Sequence, residues 1–333
     1  MNVSSDSSDE VIQMCYLIFN DILVSLISVF GVSANIMNII IYIKLGFVDT
    51  SNLSFLVLST SDLFTLIAGL LYNIFCFPIV NNIPDLTFEP LAIGYITAAW
   101  PRAVFSKMTC CVTVFITIER CLCIISPLKV KTILTTASTQ SVLAILLVFC
   151  VLVNYMHVYT GSMYLQYNTR PPTNKSVLGL GFGANYLSVN EISGYLNTST
   201  FTLLFFILIC STALLVYKLW QKSNWRGTLS CSRSSTFEEL SRREKTVCVT
   251  VAILAAVLVL AYLPYTINCI LSAVVVNGPQ NGKYNNTLQM FWIVSFTFET
   301  INSSTSIFVY YRMSSQYRKM FHIVMNFDKR QKH

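Results

Sequence analysis

The sequence predicts an all-α membrane protein: a seven-transmembrane helix bundle with a short amphipathic C-terminal helix. Three observations carry this. The 333 residues are 54% hydrophobic and only 11% charged, with a mean hydropathy of +0.61, whereas a soluble domain needs about 25% charged residues to cover its surface. Seven runs reach the roughly 20 apolar residues that cross a hydrocarbon core. Lysines and arginines gather in alternate loops, as the positive-inside rule requires of a multi-pass protein. The net charge of +7 is therefore a matter of topology. The lipid bilayer is the expected surrounding, and no nucleic-acid partner is expected.

The residues before the first run, 1–15, are polar and acidic and form the expected extracellular N-terminus. No cleavable signal segment is expected there, since the first run, 16–43, serves as the membrane signal itself. Further runs follow at 52–79, 98–125, 137–159, 192–220, 243–276 and 288–311, so that the transmembrane domain covers 16–312. No repeat relates the two halves, which argues against inverted-repeat transporters. Residues 313–333 form a cytoplasmic amphipathic helix and tail. In that helix Met313, Tyr317, Met320, Phe321 and Val324 recur at helical spacing, with Arg318 and Lys319 on the other face.

An outside N-terminus puts the loops near Lys44, at 120–131 and at 218–245, together with the tail, in the cytoplasm. They hold 17 of the 22 basic residues against six acids. The expected location is the plasma membrane. The glycosylation tripeptides at Asn2, Asn174 and Asn285 then face outside, while Asn197-Thr198-Ser199 lies too close to the fifth run to be used.

Catalytic chemistry finds no foothold. Cys110, Cys111, Cys150, Cys210 and Cys248 lie in apolar runs, where a thiol is a small hydrophobe. His157, His322 and His333 are scattered, and no nucleophile–base set, phosphate loop or metal constellation appears. No enzyme is expected.

Isolated polar groups in hydrocarbon need partners and tend to be functional. The first run has Gly31 and Asn35, the second Ser59-Thr60-Ser61-Asp62, the seventh Asn302-Ser303-Ser304-Thr305-Ser306 and Tyr310. Interhelical hydrogen bonding alone is the plainer reading of such groups. The third run carries Arg102 and Lys107 and ends in Glu119-Arg120, with Pro127-Leu128 beyond. A central Arg or Lys costs about 2.5–3.5 kcal/mol on insertion scales, so something must offset it.

In these residues the chain resembles the rhodopsin-like (class A) G-protein-coupled receptors. Glu119-Arg120 with Pro127-Leu128, Asn35, Asp62, Asn302, Ser303, Tyr310 and the sixth-run Tyr262-Leu263-Pro264 stand where that family carries its motifs. The resemblance implies a receptor that binds an extracellular small molecule or peptide and activates a heterotrimeric G protein on the cytoplasmic face. A chemosensory role leads; a neuropeptide-type receptor, or a transporter or channel using Asp62, Arg102 and Glu299, is the alternative. It implies Glu119, Arg120, Pro127, Leu128, Glu244 and Tyr310 as the activation switch, with Arg120 paired to Glu244 at rest; otherwise Glu244 is one acid in a solvated basic stretch. Tyr262 and Pro264 are the implied pivot of the sixth helix. Arg102, Ser106, Tyr265, Asn268, Trp292 and Glu299 are the implied ligand site, with Phe298 beside them. Glu299 faces Arg102 in that family, so Arg102 either receives an anionic group, is simply neutralised by Glu299 or snorkels to the surface. No cofactor is implied beyond a sodium ion held by Asp62, Thr109, Asn302, Ser303 and Ser306; a protonated Asp62 in the same cluster is the alternative.

There are departures. Ser306-Ile307 replaces the usual Asn-Pro, the fourth run lacks the usual tryptophan, and the fifth lacks a proline. Tyr95 stands in place of the usual bridging cysteine, and residues 160–191 contain no cysteine, so the usual disulfide is expected to be absent and the outer loop less fixed. The run Ser33-Ala34-Asn35-Ile36-Met37-Asn38, with Tyr42-Ile43-Lys44-Leu45-Gly46-Phe47, looks like molluscan chemosensory receptors.

Overall fold

The computed structural model describes residues 22–47, 49–77, 80, 83, 86–126, 134–170, 175–228, 235–276 and 285–325, with backbone alone for 170, 222–228, 235–245, 272–276, 285–290 and 313. Seven long helices form the body: α1 (Ser25–Leu45), α2 (Thr50–Cys76), α3 (Pro90–Ile125), α4 (Thr136–Asn154), α5 (Tyr186–Thr228), α6 (Ser235–Val276) and α7 (Asn285–Met313). The short α8 (Ser315–Val324) follows. Between α4 and α5 lies a hairpin of β1 (Met163–Arg170) and β2 (Lys175–Phe182).

Local chemistry sets the helix ends. Gly46 takes φ 76° after α1, a conformation only glycine adopts freely, and its N–H bonds back to the Ile43 carbonyl. The Asp49 carboxylate caps α2 by accepting from the Ser51 N–H at 3.1 Å, and Thr135 caps α4 through the Ser138 N–H at 3.2 Å. Ser314 does the same for α8. A π-turn at Tyr95–Ala99 interrupts α3 just before Trp100.

α3 is the central column, in contact with α2, α4, α5 and α6, while α7 closes the ring against α6, α1 and α2. Apolar side chains point both ways. Val104, Met108, Val112 and Ile116 of α3 are buried, whereas Leu26, Ile145, Leu203 and Leu260 are each more than 60% exposed on the outside of the bundle. A continuous apolar exterior of that kind suits lipid rather than water. Six helices of the described residues are long and apolar enough to cross a membrane. α7 is more polar because Glu299, Thr300 and 302–306 fall within it, and nearly all of these are turned inward. α1 and α7 approach closely at Gly31, where a Cβ would lie 2.1 Å from the Ser304 hydroxyl oxygen.

Some boundaries differ from those read in the sequence. α2 stops at Cys76 rather than at 79. α5 runs to Thr228 and α6 starts at Ser235, so most of the stretch read as an inner loop at 218–245 is helix. Hydropathy sees only the part of a helix that meets lipid, and the backbone ladder continues in water beyond it.

The hairpin is the main correction, since the outer loop is not loose. Its strands pair antiparallel from Met163–Phe182 to Arg170–Lys175, with Gly181 opposite Tyr164 and Gly179 opposite Gln166. β2 is fastened to the chain entering α3: the Glu89 N–H donates to the Leu178 carbonyl and the Leu178 N–H to the Thr87 carbonyl, both at 2.8 Å. Gly179 packs closely under the Glu89 side chain, so that a Cβ there would displace the Glu89 carboxylate, 2.7 Å away. Tyr95 packs edge-on against Trp100, which in turn meets Tyr155 and His157 at the end of α4.

Candidate functional site

The hairpin half of the bundle holds a buried polar cluster. Arg102 Nη2 donates to Glu299 Oε2 at 2.6 Å, joining α3 to α7, and its guanidinium carbon lies 4.1 Å from the centre of the Phe296 ring. Gly69 of α2 lies alongside the arginine, whose Nε would be in ordinary contact with a Cβ there at 3.8 Å. One turn further along α3, the Ser106 hydroxyl meets the Tyr262 hydroxyl of α6 at 2.9 Å. Tyr262 also stacks with Phe201 of α5, and Phe201, Tyr265 and Trp292 form a chain of ring contacts at 4.7 and 5.4 Å. Pro264 lies inside α6 between the two tyrosines and, having no N–H, leaves one rung of the ladder unmade.

Three residues behave otherwise than the sequence suggests. Phe298 is 43% exposed on the outer side of α7; the aromatic partner of Arg102 is Phe296, two positions and about 200° round the helix from it. Lys107, fully buried, reaches Asn197 Oδ1 of α5 at 2.5 Å. That pairing spans 90 residues, and Asn197, in sequence only a weak glycosylation tripeptide, sits inside α5. Asn268 is fully buried with neither amide atom hydrogen-bonded.

Midway along the bundle, Asp62 Oδ1 accepts from the Thr109 and Ser303 hydroxyls at 2.9 and 3.0 Å. Asn302 and Ser306, read as members of the same set, are placed differently. Asn302 makes no hydrogen bond to Asp62 among the described residues, and Ser306 turns to α1, where its hydroxyl accepts from Asn38 at 3.2 Å. The amides of Asn35 and Asn38 satisfy that part of α7: Asn35 Nδ2 donates to the Ser303 carbonyl at 2.7 Å.

At the opposite end of α3, Glu119 Oε1 accepts from both Arg120 Nη2, at 2.9 Å, and the Thr50 hydroxyl of α2, at 2.7 Å. Arg120 Nη2 also donates to the Ser51 hydroxyl at 2.5 Å. The described partners of Arg120 thus hold α3 to the start of α2. Pro127 and Leu128 lie outside the described residues, as does the side chain of Glu244. Glu119 Oε2 and Arg120 Nε are buried without a partner. Tyr310 is buried among the rings of Tyr42, Phe55 and Tyr317, all within 5.7 Å. Tyr317 anchors α8 by donating to Asn38 Oδ1. Its burial raises its pKa, which keeps the hydroxyl a neutral donor.

Asn2 and Asn174 also lie outside the described residues. Asn285 opens α7, and its side chain is not among those described.

One column, α3, therefore carries a charged cluster at its hairpin end, a hydrogen-bonded acid beside its middle and a second ion pair at its far end. Among known families, the model described as "Serpentine type 7TM GPCR chemoreceptor Srw" matches residues 22–328. No curated protein matches the chain. The family favours chemosensing over a neuropeptide role and over a transporter or channel, and is not an enzyme class. The chain belongs to the Srw family of serpentine seven-helix G-protein-coupled chemoreceptors, multi-pass membrane proteins that bind an extracellular chemical and activate a heterotrimeric G protein.

Proposed function

We propose that the hairpin half of the bundle faces outside and holds the ligand, and that the Glu119–Arg120 end is the cytoplasmic switch. The observation that carries this reading is the pair of buried ion pairs at opposite ends of one helix, Arg102–Glu299 and Glu119–Arg120. A ligand among Arg102, Ser106, Tyr265, Asn268, Trp292 and Glu299 moves α6 about Pro264 through the Tyr262–Ser106 contact. At the other end, release of Arg120 from Glu119 and Ser51 opens a cleft for the G protein. Glu244, with Pro127, Leu128 and Tyr310, belongs to that switch. The basic loops support an outside N-terminus, and with it glycosylation at Asn2, Asn174 and Asn285. The motifs around Asn35, Asp62 and Pro264 support a rhodopsin-like design, and the run 33–47 a kinship with molluscan chemosensory receptors.

The test uses the full chain in cells with a promiscuous G protein, tagged at its N-terminus and challenged with pooled water-borne metabolites. Intact cells should stain for the tag, a pool should accelerate nucleotide exchange, and Arg120→Leu should abolish the response at equal surface expression. A ligand-evoked current without nucleotide exchange would refute this reading.

Asp62, Thr109 and Ser303 present a carboxylate and two hydroxyl oxygens, the donor set a hard cation takes. A sodium ion would be held by Asp62 with Thr109 and Ser303, and by Asn302 of the same helix turn, where it would neutralise Asp62. Replacing sodium by an organic cation should raise basal exchange in the wild type and leave Asp62→Asn unaffected. Equal sodium dependence of the two proteins would remove the ion from the mechanism.

A further inference from the structure

α3 buries two cations in its hairpin half, and among the described residues only Arg102 meets a carboxylate. Arg102 faces the Glu299 carboxylate at 2.6 Å. Lys107 is fully buried and donates to the neutral Asn197 Oδ1, with the Phe201 ring centre 5.1 Å away. Among the described residues no carboxylate lies within ion-pair distance of its ammonium group. The Asn197 amide is oriented independently: its Nδ2 donates to the Ser193 carbonyl at 3.0 Å and to the Ser193 hydroxyl at 3.4 Å. The oxygen is thereby turned toward Lys107, and it satisfies only one of three ammonium donors. A ring face and an amide dipole compensate a buried charge in part; a counter-anion compensates it fully. In the same half of the bundle, Asn268 is buried with both amide atoms unpartnered, and Phe201, beside the lysine, packs on the rings of Tyr262 and Tyr265.

We propose that Lys107 is the seat of a ligand's anionic group, and that this receptor detects small monocarboxylates with an apolar body. The proposal rests on the chemoreceptor reading above and names the ligand class for the ligand site proposed there. The carboxylate accepts from the two free donors of Lys107, and the apolar body lies against Phe201, Tyr262 and Tyr265. A single ammonium beside a neutral amide matches one negative charge; a phosphate dianion would leave an excess. Arg102 then serves as a fixed strut to α7, its charge already spent on Glu299.

The purified full chain in neutral-lipid nanodiscs is heated with short- and medium-chain fatty acids, benzoate or phenylacetate, and with the carboxamide of each. A carboxylate should raise the unfolding temperature by several degrees while its amide does not. Lys107→Met should weaken that carboxylate about 10- to 100-fold, the scale of a lost charge-assisted hydrogen bond, and Lys107→Arg should restore part of it. If Lys107→Met fails to fold, the comparison of Lys107→Gln with Lys107→Arg replaces it. The proposal is overturned if no carboxylate stabilises the wild type, if amides do so equally, if Lys107→Met binds unchanged, or if only Arg102→Gln abolishes the shift. G-protein exchange driven by neutral compounds alone would sink the Lys107 seat and leave the receptor reading intact. Carboxylates that stabilise through Lys107 without any compound evoking exchange would sink the receptor reading alone.

Discussion

Glu299→Ala is expected to be the most damaging single substitution in the hairpin half of the bundle, lowering stability by about 3–5 kcal/mol, the usual cost of leaving one partner of a buried ion pair unmatched. Arg102 is 7% exposed and Glu299 2%, so water cannot take over the lost role. The double variant Arg102→Leu/Glu299→Leu should regain most of the loss, because the desolvation of both charges disappears together with their attraction. Thermal unfolding of the wild type, Glu299→Ala and the double variant in nanodiscs measures this directly. If Glu299→Ala unfolds at the wild-type temperature, the pair is not a strut between α3 and α7.

At the other end, Glu119→Gln should raise ligand-independent nucleotide exchange about tenfold. Glu119 Oε1 is shared by Arg120 and Thr50. A neutral amide in its place loses the charge assistance, about 1.5–3 kcal/mol for a hydrogen bond to a charged group, and 1.4 kcal/mol is a factor of ten in an equilibrium. The unpartnered Glu119 Oε2 and Arg120 Nε leave this ion pair incompletely satisfied, in keeping with the switch proposed above. Basal exchange is read at matched surface expression, and an unchanged rate would mean that Glu119 does not hold the resting state. Thr50→Val, which removes one of the two hydrogen bonds to the same oxygen, should produce a smaller rise.

The bundle was legible because membrane helices announce themselves by apolar length, and the positions of Asn35, Asp62 and Glu119-Arg120 along the runs were visible because each is an isolated polar group in hydrocarbon. What those groups touch was less accessible. Ser303 and Ser306 are three residues apart on one helix and look interchangeable in sequence, yet Asp62 takes one and Asn38 the other. Helix rotation decides this, and no local pattern records it. The Lys107–Asn197 bond joins residues on different helices, and a lone asparagine in a polar run gives no hint of its partner. The hairpin did leave a trace, since Val177, Gly179 and Gly181 alternate with larger residues along β2. Eight residues of alternation, diluted by two glycines, is a weak signal beside helices three times as long.

The fastening of β2 to the entrance of α3 bears on how quickly a ligand comes and goes. Where a disulfide would make that joint permanent, two backbone hydrogen bonds between Glu89, Thr87 and Leu178 make it, each contributing about 1 kcal/mol net. Such a joint breaks and re-forms without redox chemistry, so reducing conditions leave it untouched and thermal motion alone sets how long it stays shut. If the ligand sits beneath the hairpin as proposed, the opening of this joint limits its residence time, and exchange of the two amide protons with deuterium is the clock that reports it.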